Sequence, residues 1–281
     1  MGASGLIEIK RRIKSIESTK KITKAMGFVA TSKLKKVKNK LSDTFDYVNT
    51  LEKILYEIVN VLPEDYESIY INKRQGKKLY IVITSDIGLC GGFNFNVISF
   101  LKNIIGDKEN SEIIIIGKKG LPYLDKFGLK AKKEILDMPS VPTSVEVNEL
   151  YNIIADDFKN GAVTEVNIIC TIYKSPIKQE PEIIKLLPIE RKCNKQDKYI
   201  IEPNIDTVFN NSVNLYIKSR LMECLLQSRV SEESARKMAM DGASDNATEM
   251  LRKLNIKFNR IRQGIITQEI SEIVGGSEAQ K

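Results

Sequence analysis

"IDTVFNNSVNLYIKSRLMECLLQSRVSEESARKMAMDGASDNATEMLRKLNIKFNRIRQGIITQEISEIV", Ile205 to Val274, runs on from Pro203 without another proline. Apolar positions such as Ala243, Ala247, Met250, Leu254, Phe258, Ile261 and Ile265 return every few residues. Their drift is slightly more than the ~3.5-residue repeat of a coiled-coil seam. Small residues (Ala235, Ala239, Gly242, Ala243, Ser244, Ala247) hold the centre and admit a close neighbour. The front of the chain has the same texture. From Leu6 to Leu62 the seam reads Leu6, Ile9, Ile13, Ile16, then Ala30, Leu34, Val37, Leu41, and Val48, Leu51, Leu55, Ile58, Leu62. Lys20, Thr23, Gly27 and Thr44 interrupt it, and Met26, Phe28 and Val29 are expected to face elsewhere. At 1.5 Å per residue each end is a rod on the order of 85–105 Å. Such a rod cannot bury its seam alone, so the two ends are expected to pair antiparallel.

The middle differs. "KKLYIVITSD", "SEIIIIGK", "VTEVNIICTIY" and "PEIIKLLPIE" are short β-branched runs bounded by Gly, Pro, Asp or Lys. Helical stretches, "FNVISFLKNII" and "SVEVNELYNIIADDFKN", separate several of them. This alternation predicts an α/β domain on a mostly parallel, Rossmann-like sheet. The fold class is therefore α/β, with a long antiparallel coiled coil of N- and C-terminal helices and an inserted α/β domain. Residues 1–70 and 204–281 form the shaft and residues 77–195 the α/β domain, with junctions at 63–76 and 191–204.

The chain has 281 residues, no histidine and a formal net charge of +8. Without histidine the commonest general base is missing, and with it every Ser-His-Asp or Cys-His arrangement. Cys90, Cys170, Cys193 and Cys224 form no C-x-x-C pair, so reduced, mostly buried thiols are expected and no metal site. No apolar run is long enough to span a bilayer. The start "MGASGLIEIKRR" lacks the apolar stretch of a secretory leader, and Leu6 stands where myristoylation needs Ser or Thr. The expectation is a chain facing the cytosol. Residues 1–41 carry twelve Lys or Arg against Glu8 and Glu17, a local +10, which implies a partner of negative charge.

"TSDIGLCGGFN", Thr84 to Asn94, follows a strand and opens a helix, the place of phosphate-binding loops. Neither G-x-x-x-x-G-K-[ST] nor G-x-G-x-x-G is present, so Gly88, Gly91 and Gly92 read as a structural turn that lets the loop pack on the sheet. The lysines from Lys33 to Lys40 lack aromatic neighbours for base stacking, and docking to acidic protein loops suits them better than nucleic acid. A basic coiled-coil nucleic-acid binder and an α/β enzyme using the glycine turn remain the competing readings.

Four segments together resemble one family along nearly the whole chain: "KITKAMGFVATSKLKK" (Lys21–Lys36), "TSDIGLCGGFN", "ESARKMAMDGASDNATEML" and "RIRQGIITQEISEIVGG" (Arg260–Gly276). They are similar to the γ subunits of F-type ATP synthases, and the length is like that of bacterial members. The resemblance implies a non-catalytic rotor of the central stalk. Its terminal helices would stand within a ring of α and β subunits, which bind the nucleotides. Its α/β domain would sit as a foot with the ε subunit on the membrane-embedded c-ring, turned by proton or sodium flow. One copy per complex, no cofactor of its own, no nucleic-acid partner and a peripheral place on the cytoplasmic face of the cell membrane are implied.

Residue by residue, Arg262 and Gln263 match a pair that bonds a catch loop of β, with Thr267, Gln268 and Glu269 beside them at the tip. Lys24 and Met26, with Lys33, Lys35 and Lys36, match the level where acidic loops of β press on the shaft. Tyr199 and Glu202 match the foot near the c-ring or ε. The chain departs from the pattern at Ile87, where arginine is common, and at Asp241, where lysine is common. The first puts a salt bridge from the glycine turn in question, and the second alters charge along the shaft.

Overall fold

The computed structural model describes residues 2–63, 65–106, 108–191 and 201–278. Both proline-free ends are single helices, α1 over Gly2–Val61 and α5 over Ile205–Glu278. The chain divides into two compact units, residues 1–29 with 237–281 and residues 30–236.

In the first unit the helices meet along a narrow seam. Ile9, Thr23 and Gly27 of α1 are buried, as are Met240 and Ala247 of α5. A Cβ placed on Gly27 would lie 3.7 Å from Met240 Cβ and 3.2 Å from Asp241 Oδ1. Glu17, Lys20 and Lys24 share a surface cavity with Leu251, so α5 numbers rise as α1 numbers fall, and the pair is antiparallel. Thr23 and Gly27 thus sustain the seam across its polar gap. Phe28 and Val29 face outward, as the spacing requires, whereas Met26 is half-buried. On α5 the seam passes through Leu251, Leu254, Phe258, Ile261 and Ile265. Met250 stays out of it, 53% exposed, because a strict three-four alternation from Ala247 lands on Leu251.

The second unit contains a five-stranded sheet in the order β3-β2-β1-β4-β5. Its strands are β1 (Lys78–Ile83), β2 (Ser111–Ile116), β3 (Lys133–Ile135), β4 (Glu165–Tyr173) and β5 (Gln179–Leu187). The first four run parallel and β5 pairs antiparallel with β4. Alternation divides the strands between two cores. Leu79, Ile81, Ile83, Ile114, Ile116 and Ile168 face the helices α1 and α5 together with α4 (Ser144–Lys159). Tyr80, Val82, Ile113, Ile115 and Ile169 face α2 (Phe93–Ile104) and the neighbourhood of α3 (Leu121–Lys126). A capping box at Thr143 and Glu146 starts α4.

Within this unit too α1 and α5 run antiparallel. Val37 and Leu41 pack with Leu226 and Val230, and further along Glu52 meets Arg220 at 3.7 Å. Beyond the last β1 partner, Val82↔Ile169, β4 has no strand on that side among the described residues. Side chains of α5 take its place. Thr171 N–H donates to Ser228 Oγ at 3.1 Å, Ser231 Oγ–H donates to Thr171 O at 2.9 Å, and Tyr173 N–H donates to Gln227 Oε1 at 3.3 Å. Buried backbone groups need such partners, and here the shaft helix supplies them.

Candidate functional site

At the carboxyl ends of the parallel strands, where open α/β sheets commonly hold a ligand, lies the turn from Thr84 to Gly92. Ser85 and Asn94 hold its base, with Asn94 Oδ1 accepting from Ser85 N–H at 2.9 Å. Leu89 and Gly91 have φ of 64° and 59°, and Gly92 precedes α2 without a side-chain cap. Asp86 is the node. Its Oδ1 accepts from the N–H groups of Lys118 and Asp137, each at 3.2 Å, tying together the loops that follow β1, β2 and β3.

Side chains of α5 reach into the crevice above that node. Arg229 Nη2 reaches Asp86 Oδ2 at 3.2 Å and donates to Met138 O at 2.8 Å, while its Nη1 pairs with Glu232 Oε2 at 2.7 Å. Two helical turns on, Arg236 donates to the turn carbonyls of Ile87 (2.8 Å) and Gly88 (3.3 Å). It also pairs with Glu232 at 2.6 Å and Glu233 at 2.7 Å. Burial works against the charge on both guanidinium groups, but Glu232, together with Asp86 at Arg229 and Glu233 at Arg236, more than offsets it, so each pKa lies above its ordinary value. Burial lifts the Glu233 carboxyl, and the nearby Arg236 offsets that only in part. The turn therefore does carry a salt bridge, from Asp86; Ile87 contributes its carbonyl and leaves its side chain 55% exposed.

The residues singled out from the sequence fall into separate places. Gly88, Gly91 and Gly92 lie in this turn. Lys33 lines a cavity of about 170 Å³ with Asp86, Arg229, Glu232 and Glu233, whereas Lys35 and Lys36 are exposed. In the other unit Lys24 is exposed, 6.0 Å from the centre of the Phe28 ring, and Met26 is half-buried. Arg262, Gln263, Thr267, Gln268 and Glu269 are all exposed on α5; Thr267 Oγ1–H donates to the Gln263 carbonyl at 2.9 Å and Gln268 pairs with Glu272. Glu202 is exposed ahead of α5, and Tyr199 lies outside the described residues. Cys90, Cys170 and Cys224 are buried thiols, and Cys193 is likewise outside the described residues.

The sequence reading missed Arg229, Glu232 and Arg236. Their signal was the spacing of opposite charges by three and four residues on an α5 face otherwise rich in small and apolar residues. Among the described residues no group of acidic, thiol or imidazole side chains is placed to hold a metal ion, and no helix is long and apolar enough to cross a membrane.

The class of protein this defines is an α/β unit inserted between two long helices, a scaffold in which side chains of α5 enter the crevice at the strand ends. Comparison with known proteins gives that scaffold a family. A family model described as ATP synthase matches residues 5–280. The chain is 47% identical over 283 residues to the ATP synthase gamma chain of Clostridium botulinum (strain Eklund 17B / Type B), covering all of both chains. It is 45% identical to the ATP synthase gamma chain of Clostridium beijerinckii, again over the full length of both. A chain of the Euglena gracilis mitochondrial ATP synthase matches in fold with a TM-score of 0.71 at 18% identity, covering 99% of this chain and 95% of that one. A chain from the central stalk and c-ring of the Tetrahymena thermophila enzyme matches with a TM-score of 0.65 at 24% identity, covering 79% and 99%. The chain belongs to the ATP synthase γ-chain family, whose members are central-stalk rotor subunits without a catalytic site of their own.

Proposed function

We propose that this chain is the axle of a bacterial ATP synthase, one copy per complex. Its paired helices stand among the α and β subunits of the head, and its α/β unit rests with the ε subunit on the c-ring. It is held on the cytoplasmic face of the cell membrane through that complex alone, and it binds no cofactor and no nucleic acid. A two-helix pair presents a different face to each surrounding subunit, so its angle biases each neighbour's open and closed states by differential contact. Turning the pair moves that bias from one catalytic site to the next, and hydrolysis at those sites turns it back.

The observation that carries this reading is the tip of α5, where Arg262 and Gln263 are exposed and have no side-chain partner among the described residues. They are free to bond a loop of β, with Thr267, Gln268 and Glu269 alongside. Lys24, Lys35 and Lys36 offer the positive charge for acidic loops of β, with Met26 beside Lys24 as an apolar contact. Arg229 and Arg236 reach into the crevice beside Asp86, which favours nucleotide binding on the α and β subunits instead. Co-purification should recover α, β and ε with one copy of this chain. In that complex Arg262→Ala with Gln263→Ala should lower ATP turnover about tenfold, the scale of losing charge-assisted hydrogen bonds. Unchanged turnover would remove the catch role from these residues.

A further inference from the structure

The buried ion network of Arg229, Glu232 and Arg236 joins α5 to the loops at the sheet's edge through charged, directed bonds, beside the neutral hydrogen bonds of Gln227, Ser228 and Ser231 to β4. The other contacts between α5 and the sheet are largely apolar, through residues such as Phe209, Val213, Ile217 and Leu221. Apolar burial is non-directional and resists separation better than it resists sliding or twisting. Charge-assisted bonds of fixed geometry in a dry setting resist small displacements in a defined direction. A buried ion network is also weak as a source of net stability, since its desolvation offsets much of its attraction; it is better suited to fixing one register.

The positions fit that use. Arg229 and Arg236 are 8% and 6% exposed in their side chains, and Glu232, 4% exposed, bridges both. Their bonds end on two loops: on Asp86 and the carbonyls of Ile87 and Gly88 in the turn after β1, and on Met138 O after β3. Asp86 in turn holds the loops after β2 and β3. Ser228 and Ser231 add bonds to β4 from the same stretch of helix. One stretch of α5 thereby holds the carboxyl ends of β1 to β4.

We propose that Arg229, Glu232 and Arg236, closed on Asp86 and the turn carbonyls, form a torque-bearing latch that fixes the azimuth of the shaft helix relative to the α/β unit. The latch rests on the rotor reading. Its residues are positioning residues: they touch no nucleotide and act through the stiffness of the joint. A compliant joint would store and dissipate twist applied at the α/β unit before α5 carried it onward.

The test uses the complete ATP synthase assembled with this chain carrying Cys193→Ser and a probe at Ile177→Cys, the 83%-exposed tip of the β4–β5 hairpin. The head is paused with bound nucleotide and the angular fluctuation of the probe is recorded. Arg229→Met and Arg236→Met are each expected to broaden the angular variance roughly twofold or more, as loss of one partner disrupts a buried network. Ion-driven ATP synthesis should fall more than ATP hydrolysis does, and Arg236→Lys should recover part of both. Unchanged variance and an unchanged synthesis-to-hydrolysis ratio in a folded variant would overturn the latch. If an arginine variant fails to assemble, Asp86→Asn keeps the side-chain volume and the oxygen facing Lys118 and Asp137 while discharging the Arg229 contact, and the same two results decide the matter. Failure of the rotor reading is distinguishable, because the probe-bearing chain with its latch residues intact would then show no nucleotide-dependent motion of the probe at all.

Discussion

Gly117 follows β2 with a φ of 97°, and a Cβ built there would lie 2.4 Å from the carbonyl oxygen of Thr84. Neither the angle nor the space suits a side chain. Gly117→Ala should cost about 2–4 kcal/mol of stability, read as a lowered denaturation midpoint, since strained backbone and backbone overlap add. Glu233 makes a subtler prediction. Burial holds its carboxyl above the ordinary value of 4.5 despite Arg236, so the folded chain binds this proton more tightly than the unfolded one. Its contribution therefore weakens stability as pH rises from 4.5 through the raised value. Glu233→Gln should flatten that part of the stability profile, measured by urea denaturation across pH; an unaltered slope would mean the carboxyl titrates normally. At this scale the sequence was least informative. Nothing in the spacing of "TSDIGLCGGFN" says that two arginines more than a hundred residues later will reach into its crevice, because long-range partners leave no local periodicity. Lys33 shows the same limit: it reads as one of a basic run, yet it lines the cavity over Glu232 and Glu233.

Among the elements, long periodic segments were legible and short ones were not. All four β-branched runs became strands, and the run from Ser144 became α4. The edge strand β3 is only 3 residues long and α3 only 6, too short to carry a period of their own. The helix pairing was visible as a seam, with the register settled by contact: Gly27 is buried where a polar gap stood, because a missing side chain lets α5 approach. Two predictions belong here. The Cβ separation of 3.7 Å between position 27 and Met240 suits a disulfide. Gly27→Cys with Met240→Cys should cross-link on oxidation and leave ATP turnover by the assembled complex unimpaired, because helices that turn as one body lose nothing by being joined; inhibition by the cross-link would mean they move apart. Leu55, 1% exposed in the α1 contribution to the core, should cost about 2–5 kcal/mol on replacement by alanine, checked by the same denaturation.

For the molecule as a whole, the architecture followed from two proline-free ends around a strand-rich middle, and the helices and sheet of the structure agree with it. The partner-facing residues follow a different logic. Arg262, Gln263 and Glu269 are exposed polar side chains on a helix, and their chemistry is completed by a surface that this chain does not contain. Their proposed roles rest on resemblance, and the Arg262→Ala, Gln263→Ala turnover measurement tests them. The central claim is that this chain turns as an axle inside its complex. Its most direct test is the rotation of a probe at Ile177→Cys in the assembled, surface-fixed enzyme supplied with ATP. Sustained rotation in one sense, at a rate that follows ATP turnover, is the predicted result. Full ATP turnover with a stationary probe would contradict it.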